Sequence, residues 1–489
     1  VGSISGGLDL ERLRRLQTIA VEESPHGIPL IFTLDVIHGY RTVFPLPLGL
    51  ACTWDAALVK RTARVAATEA AAAGIALAWA PMLDVSRDAR WGRCAESFGE
   101  DPLLGARLGV AMIEGYQQGD LTRADSVMAC AKHFAGYGFA EGGRDYNVAD
   151  ISPYRMHNDV LPPFKAAIEA GAGAVMAGFH SLSGIPCTAH RELLRELLRE
   201  RWGFDGLIVF DYTAILELVH HGIAADQKQA TLLAFKAGVD IDMVSESYIR
   251  HLPGLVTEKR VSEAEIDAAC RRVLAAKQKL GLFDAAYRGP DDGRRRAVTL
   301  TADHRRLARE AAAKACVLLK NNGVLPLARG KVIALIGPLA DSRANMQGTW
   351  AVAAQAADSV TVLEGLREAA ETVHYAKGAN IVDDANIAAR LNVFNETFAI
   401  DARPPQEMIA EAVDVARKAD VVVACVGEAK EHSGESATRT EIGLPGSQQR
   451  LLQALHATGK PLVIVVMSGR PLALSWEDQH ADAIVSAWF

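Results

Sequence analysis

Apolar runs of strand length alternate with amphipathic stretches of helical length along most of the chain, and this alternation restricts the fold more than any other feature. In the first half the runs are IPLIFTLDV, GIALAWAPMLDV, SVMACAKHF, GAGAVMAGF, DGLIVFD and GVDIDMV. Between them lie LVKRTARVAATEAAAAG, MHNDVLPPFKAAIEAG and RELLRELLRERWG. Strand, helix, strand in steady succession predicts parallel strands joined by helical crossovers. Runs that are apolar at nearly every position suit a sheet covered on both faces. An open doubly wound sheet and a closed barrel both satisfy these conditions, and the polar residues separate them. Asp35, Asp84, Lys132, His133, Asp211 and Met243 with Ser245 all fall at or just past the C-terminal ends of the runs, the rim on which barrel enzymes carry their chemistry. Six units are visible where a full barrel needs eight. The barrel is therefore expected either to be incomplete or to have its first unit ahead of Val1.

From Phe283 to Asp303 the alternation gives way to FDAAYRGPDDGRRRAVTLTAD, rich in Gly, Pro and charge, which reads as a linker. The expected division is a barrel domain over 1–284, a linker over 285–304 and a second α/β domain over 305–489. In the second domain KVIALIGPL, VVVACVGEA, PLVIVVMSG and DAIVSAWF supply strands, and PPQEMIAEAVDVARKAD and SQQRLLQALHATG supply helices. VIALIGPLAD looks like the start of a dinucleotide fold but lacks GxGxxG, which excludes a nucleotide reading.

Composition removes several function classes. The 489 residues are 49% hydrophobic with a net charge of −7, enough for two cored domains. Charges of both signs are spread without a basic stripe, so nucleic acid is not an expected partner. No apolar segment reaches the ~20 residues of a membrane span. The seven cysteines are scattered, odd in number and without metal-type spacing, and most read as small buried apolar residues. The chain opens at Val1 without a leader and stops at Phe489 directly after a strand-like run, so it is expected to be a piece of a longer protein.

The rim residues form a set. LDVIHG supplies Asp35 and His38; LDVSRDARWGRCAESFGED supplies Asp84, Asp88, Arg93 and Glu96; AKHFAGYG supplies Lys132 and His133; VFDYTA supplies Asp211. Several acids beside Lys, Arg and His suit a neutral polyhydroxylated ligand, because each sugar hydroxyl donates to a carboxylate and accepts from a cation. Asp and His at strand ends also build metal sites, but Lys132 and Arg93 in the same set would repel a metal ion. Neither a metal nor another cofactor is expected.

Four stretches in this order, the DVSRDARWGR loop, AKHFAGYG, VFDYTAI and LLKNNGVLPL, resemble the signatures of glycoside hydrolase family 3, its periplasmic members in particular. The resemblance implies a (β/α)8-type barrel followed by an (α/β)6-type sandwich, with a fibronectin-like domain beyond Phe489 in many members. It implies that Asp211 is the catalytic nucleophile, which must be ionised and stand about 5–5.5 Å from a second carboxyl. Lys132, His133 and Arg93 are expected to help keep it charged. The competing reading of Asp211 is the N-cap of a helix beginning near Ala214. The second carboxyl, the acid/base, is implied to come from GEAKEHSGESATRTEIGLPGSQ, which holds Glu428, Glu431, Glu435 and Glu441. Matching the family's HEASSRTD-like stretch selects Glu435, with Glu431 next; the alternative is that all four are solvated loop acids. The family's N-acetylglucosaminidases carry a His in a KHxPGHG pattern, whereas this chain has Ala135 and Tyr137 in the corresponding stretch and so relies on Glu435.

For the sugar itself the resemblance implies contacts from Asp35, Arg93, Lys132 and His133, with Met176 and Phe179 as one wall. Tyr212 stands where the family often has Trp or His. Trp350, in MQGTWA, resembles a tryptophan that stacks on the next sugar, core packing being the alternative. The expected activity is that of a retaining, exo-acting β-glucosidase on short oligosaccharides or aryl glucosides. A β-xylosidase is the runner-up, since only the C5 hydroxymethyl group separates the two sugars. A phosphorylase needs a phosphate site that no motif supplies, and a pure sugar binder has no need of two matched carboxylates. The resemblance further implies the periplasm or secretion, and it is compatible with a homodimer.

Overall fold

The apolar runs of the first half become short parallel strands in the computed structural model, which describes residues 2–7, 9–289, 291–391 and 400–489. They are β1 (Ser3–Ser5), β2 (Ile31–Leu34), β3 (Leu77–Ala78), β4 (Met128–Phe134), β5 (Ala174–Ala177) and β6 (Leu207–Phe210). Among the described residues they form one curled sheet in the order β1-β2-β3-β4-β5-β6. β3 is much shorter than its apolar run because Pro81 follows it and has no N–H to give to the ladder. GVDIDMV extends the sheet only through a bridge between Val209 and Ile241 and a bond from Asp240 N to Ile208 O (2.8 Å). β1 was not visible as an apolar run, since Ser3-Ile4-Ser5 is polar at two of its three positions. It pairs with β2, so one further unit does precede the first expected strand.

Helices cover the outer face. Ala56–Ala72 and Pro102–Gln117 start where Asp55 and Asp101 accept from the backbone N–H of Leu58 and Leu104, each satisfying a donor the first turn leaves open. Their buried alanines and leucines pack with Phe134, Phe164 and Ile208 in one core. The inner face holds Trp79, Cys130, Met176 and Val209, sealed by Ala276, Leu280 and Leu282. The helix that brings Ala276, Glu263–Lys279, opens with a reciprocal Ser262–Glu265 cap.

The described residues of the expected linker are partly helical, with Asp292–Val298 one helix and Ala302–Ala315 the next. Glu69, fully buried on the barrel helix, explains how it is held. Its carboxylate accepts from Arg41 N (3.0 Å), Thr42 N (2.8 Å), Thr42 Oγ1 (2.7 Å) and Leu300 N (3.0 Å), and it contacts His304 Nδ1 at 2.9 Å. Burial would raise its pKa, but these bonds outweigh burial and hold it below the ordinary carboxylate range.

The second half forms another six-stranded sheet among the described residues. Its strands are β7 (Val317–Asn321), β8 (Val332–Ile336), β9 (Thr372–Ala376), β10 (Val421–Gly427), β11 (Leu462–Met467) and β12 (Ala483–Ser486), in the order β9-β8-β10-β11-β12-β7. All pairs are parallel except β12 with β7. Ala412, Ala416, Leu451 and Leu455 cover one face. On the other, Leu46 and Ala95 of the first half join Leu363, Val423 and Phe489 in a single core, so the two sheets are packed together through side chains of both. At ~1.5–3 kcal/mol per buried large aliphatic residue, this shared core holds the loops of one half against those of the other.

Candidate active site

The C-terminal ends of the strands in the first sheet and of β10 in the second converge on one place. Asp35 follows β2 and accepts from Lys132 Nζ, on β4, at 2.7 Å. Burial pulls the Lys132 pKa down, yet the charges of Asp35 and Glu96 outweigh it and keep the ammonium above its ordinary value. Next along β4, His133 is fully buried. Asp84, in the loop after β3, accepts from His133 N and contacts its Nδ1, both at 2.9 Å, and accepts from Tyr137 N at 3.2 Å.

Arg93 lies in the turn Gly92–Glu96 and is 1% exposed. Its Nε and Nη2 donate to the two oxygens of Glu96 at 2.8 and 3.1 Å, and Nη2 also meets His133 Nε2 at 2.9 Å. Arginine only donates, so Nε2 is the acceptor and the histidine proton is on Nδ1, facing Asp84. Burial, Arg93 and Lys132 together hold His133 well below its ordinary pKa, consistent with a neutral ring. Burial also pushes Asp84 up to about 7, against the pull of the His133 and Tyr137 N–H groups and the Arg93 charge. One group is left over: Arg93 Nη1 is buried and makes no hydrogen bond among the described residues. It lies 3.7 Å from Glu435 Oε2.

Asp211 stands directly after β6. Its Oδ1 accepts from the N–H of Tyr212 at 2.8 Å, and its Oδ2 is 3.5 Å from His133 Nε2. The helix Ala214–His220 that follows takes no side-chain cap, so Asp211 is not spent on helix capping. Burial first, and then the charge of Glu435, push its pKa above the ordinary carboxylate range; Arg93, Lys132 and the Tyr212 N–H pull the other way. His133, whose Nε2 already accepts from Arg93, has no proton to offer it.

The four glutamates after β10 separate by environment. Glu428 is fully buried and paired with Arg439 and with Arg470 (3.0 Å). Glu441 is exposed. Glu431 lies with Lys430, Thr349, Trp350 and Ser433 around a cavity of about 320 Å³. Glu435 lines the same cavity and is the glutamate of this loop that approaches Arg93. An unbroken series of contacts thus runs from Asp211 through His133 and Arg93 to Glu435, joining strand ends of both sheets.

Among the remaining expected sugar contacts, Phe179 is buried with its ring 5.2 Å from that of Tyr146, edge to face. Met176 packs inside the barrel beside Cys130 and Val209. Tyr212 is exposed. Trp350 faces Lys132, whose ammonium is 5.6 Å from the ring. Just before it, the Thr349 carbonyl meets His38 Nε2 at 2.6 Å, while His38 Nδ1 meets Phe44 O at 2.8 Å. Three residues at the site were not anticipated: Asp145, Tyr146 and Arg470. Each acts across the seam between the two halves, and GGRDYN reads locally as an ordinary polar turn. No group of three or more His, Cys, Asp or Glu side chains among the described residues is arranged to hold a metal ion.

Comparison with known proteins agrees with this architecture. Residues 2–276 match the model of the glycosyl hydrolase family 3 N terminal domain, and residues 316–489 match that of the C-terminal domain. The whole chain is 47% identical to 65% of the periplasmic beta-glucosidase of Salmonella typhimurium. Over 96% of its length it is 36% identical to 64% of a beta-xylosidase of Formosa agariphila. A crystal structure of a beta-glucosidase from Listeria innocua in complex with glucose superposes on the whole chain with a TM-score of 0.92 and 39% identity, using 65% of that chain. The chain thus spans about 65% of the length of these relatives. With both family domains matched in order over most of its length, the chain belongs to glycosyl hydrolase family 3.

Proposed function

We propose that the protein is a retaining, exo-acting β-glucosidase that removes terminal β-glucosyl residues from short oligosaccharides or aryl glucosides. The observation that carries this reading is the pair Asp211 and Glu435, which come from two sheets and are linked by contacts through His133 and Arg93. In the first step an Asp211 oxygen attacks the anomeric carbon as the glycosidic C–O bond breaks, and Glu435 gives its proton to the departing oxygen. In the second, a water oxygen bonds to the anomeric carbon, its proton goes to Glu435, and the bond to Asp211 breaks. Asp35, Lys132 and the unspent Nη1 of Arg93 supply an acceptor and two donors for the sugar hydroxyls. Trp350 offers a ring face for the sugar beyond the cleaved bond.

The identity to a beta-xylosidase keeps xylose as the second reading. The name of the Salmonella relative supports a periplasmic location. No helix among the described residues is long and apolar enough to cross a membrane.

Hydrolysis of an aryl β-glucoside with an activated leaving group tests the reading. Asp211→Ala is expected to abolish turnover. Glu435→Ala is expected to be slowed and then rescued by azide, with β-glucosyl azide as the product. Near wild-type turnover by Asp211→Ala would remove the nucleophile assignment. A preference for the β-xyloside by more than about tenfold in kcat/KM, some 1.4 kcal/mol in transition-state binding, would install the second reading.

A further inference from the structure

We propose that Tyr146, supplied by the first half of the chain, is the positioning residue of the acid/base: its hydroxyl holds Glu435 Oε1 and leaves Oε2 as the oxygen that exchanges the proton. The proposal rests on the reading of Glu435 as the acid/base. A carboxyl group has two oxygens and a rotatable plane, so a donor fixed on one oxygen decides where the other points. Tyr146 Oη donates to Glu435 Oε1 at 2.7 Å. The second oxygen, Oε2, is turned toward Arg93 Nη1, 3.7 Å away.

The tyrosyl hydrogen is committed to this bond. Tyr146 Oη also lies 2.9 Å from Ser436 Oγ, and a phenol has only one hydrogen. With that hydrogen on Glu435, Ser436 must be the donor to Oη, which strengthens the bond to the carboxylate. Burial and the nearby charge of Glu435 push the phenol's pKa upward, so it keeps its hydrogen.

The ring is held independently of Glu435. Its backbone sits in the left-handed region (φ 61°), with the N–H shared between Tyr137 Oη (3.1 Å) and Asp145 Oδ1 (3.2 Å). The same turn grips the loop of the acid/base: Ser436 N donates to Asp145 Oδ2 (2.8 Å), Asp145 N to Thr438 Oγ1 (3.0 Å) and Thr438 Oγ1 to Gly143 O (2.9 Å). Tyr146 therefore serves both steps without moving. In the first, Oε1 accepts from Tyr146 while the proton on Oε2 passes to the departing oxygen. In the second, the proton of the attacking water arrives on Oε2, and the tyrosyl hydrogen never leaves Oη.

The test is Tyr146→Phe, which keeps the ring and its edge contact with Phe179 and removes the hydroxyl. kcat/KM is measured for 2,4-dinitrophenyl, phenyl and methyl β-glucosides. The dinitrophenolate departs without a proton, so its value is expected to stay within about twofold of wild type, whereas the phenyl and methyl glucosides lose roughly 10–100-fold. Ser436→Ala is expected to show the same dependence more weakly, and it carries the test if Tyr146→Phe does not fold. In a Glu435→Ala background, Tyr146→Phe is expected to add nothing. An equal loss on all three substrates would overturn the proposal, because a role in folding or sugar binding does not sense the leaving group. If Glu435→Ala itself shows no leaving-group dependence, the acid/base assignment fails; if it shows one and neither Tyr146→Phe nor Ser436→Ala does, only the role of Tyr146 fails.

Discussion

Gly92 has no side chain, and the position of the Glu435 loop depends on that. A Cβ placed there would lie 2.4 Å from the carbonyl oxygen of Gly434 and 2.5 Å from that of Ala437, the residues flanking the Glu435 stretch. The backbone approach is also bonded, since Gly434 N donates to Gly92 O at 2.7 Å. Both oxygens belong to backbone, so Gly92→Ala must move one loop away from the other. Overpacking of this kind costs about 1–3 kcal/mol. The expected outcome is a loss of about tenfold or more in kcat/KM for a phenyl β-glucoside together with a thermal midpoint lowered by a few degrees, read by steady-state kinetics and by circular dichroism on heating. An unchanged kcat/KM would show that the loop does not need this close approach. At this scale the sequence was informative about the acids and cations at strand ends, because a charge placed after an apolar run stands out locally. It was silent about Gly92, where the reason for the glycine is a loop more than 340 positions away.

At the scale of elements, the loop after β10 is held by an arginine from the segment after β11. Arg470 is fully buried and donates to Ala89 O (2.7 Å), Arg90 O (2.8 Å) and Ala437 O (2.7 Å), as well as to His432 O and Glu428. Two of these carbonyls belong to the barrel loop before Arg93 and two to the Glu435 loop, so one side chain sets the distance between them. Arg470→Ala takes this donor from all four carbonyls, leaving Arg90 O with only the Arg439 N–H (3.0 Å), and leaves Glu428 with Arg439 alone; removal of one partner from a buried charged network costs ~3–5 kcal/mol. Urea unfolding is expected to report a loss in that range, and activity is expected to fall more for a phenyl than for a dinitrophenyl glucoside as Glu435, the proposed acid/base, loses its place. A stability loss below about 1 kcal/mol would mean that the network relaxes around the gap. The elements themselves were legible to different degrees. Long buried runs such as VVVACVG became strands over their whole length, while Ser3–Ser5 and the helix Asp292–Val298 arose from segments without apolar periodicity.

The whole molecule carries a pH signature. Burial, with the charges of Arg439 and Arg470, pushes His432 down to about 3, and its Nδ1 accepts from Ala429 N at 2.9 Å. Burial pushes His180 down to about 4. Both rings stay neutral in the fold across a range where an unfolded histidine, titrating near 6.5, takes up a proton. The unfolded state then binds more protons, so the stability these groups contribute is fully present above about 6.5 and is lost as pH falls toward 4 and below. Each contributes a slope of up to ~1.4 kcal/mol per pH unit. Asp84, raised to about 7, gives the opposite slope in the same window, so the decisive measurement is a difference. Urea midpoints of wild type and His432→Asn between pH 4 and 6.5 are expected to show a shallower loss on acidification in the variant. Parallel curves would mean that His432 charges without unfolding.

Period, burial and the placement of polar residues are local properties. They were enough to make two parallel α/β units, the rim carrying Asp35, Asp84, Lys132, His133 and Asp211, and the loop with four glutamates readable from the chain. Glu435 was singled out among the four only through the family resemblance, and its approach to Arg93, the nitrogen of His133 that carries the proton, and the joint hold of Asp145, Tyr146 and Arg470 on the Glu435 loop were not readable. The contacts of the Glu435 loop depend on atoms brought together from segments some 290 to 380 residues apart, and the His133 proton depends on Asp84 and Arg93, 49 and 40 residues away. A strand or helix is encoded by its neighbours along the chain, but a site built across two sheets is encoded by their packing, and that packing leaves no periodic trace in either segment.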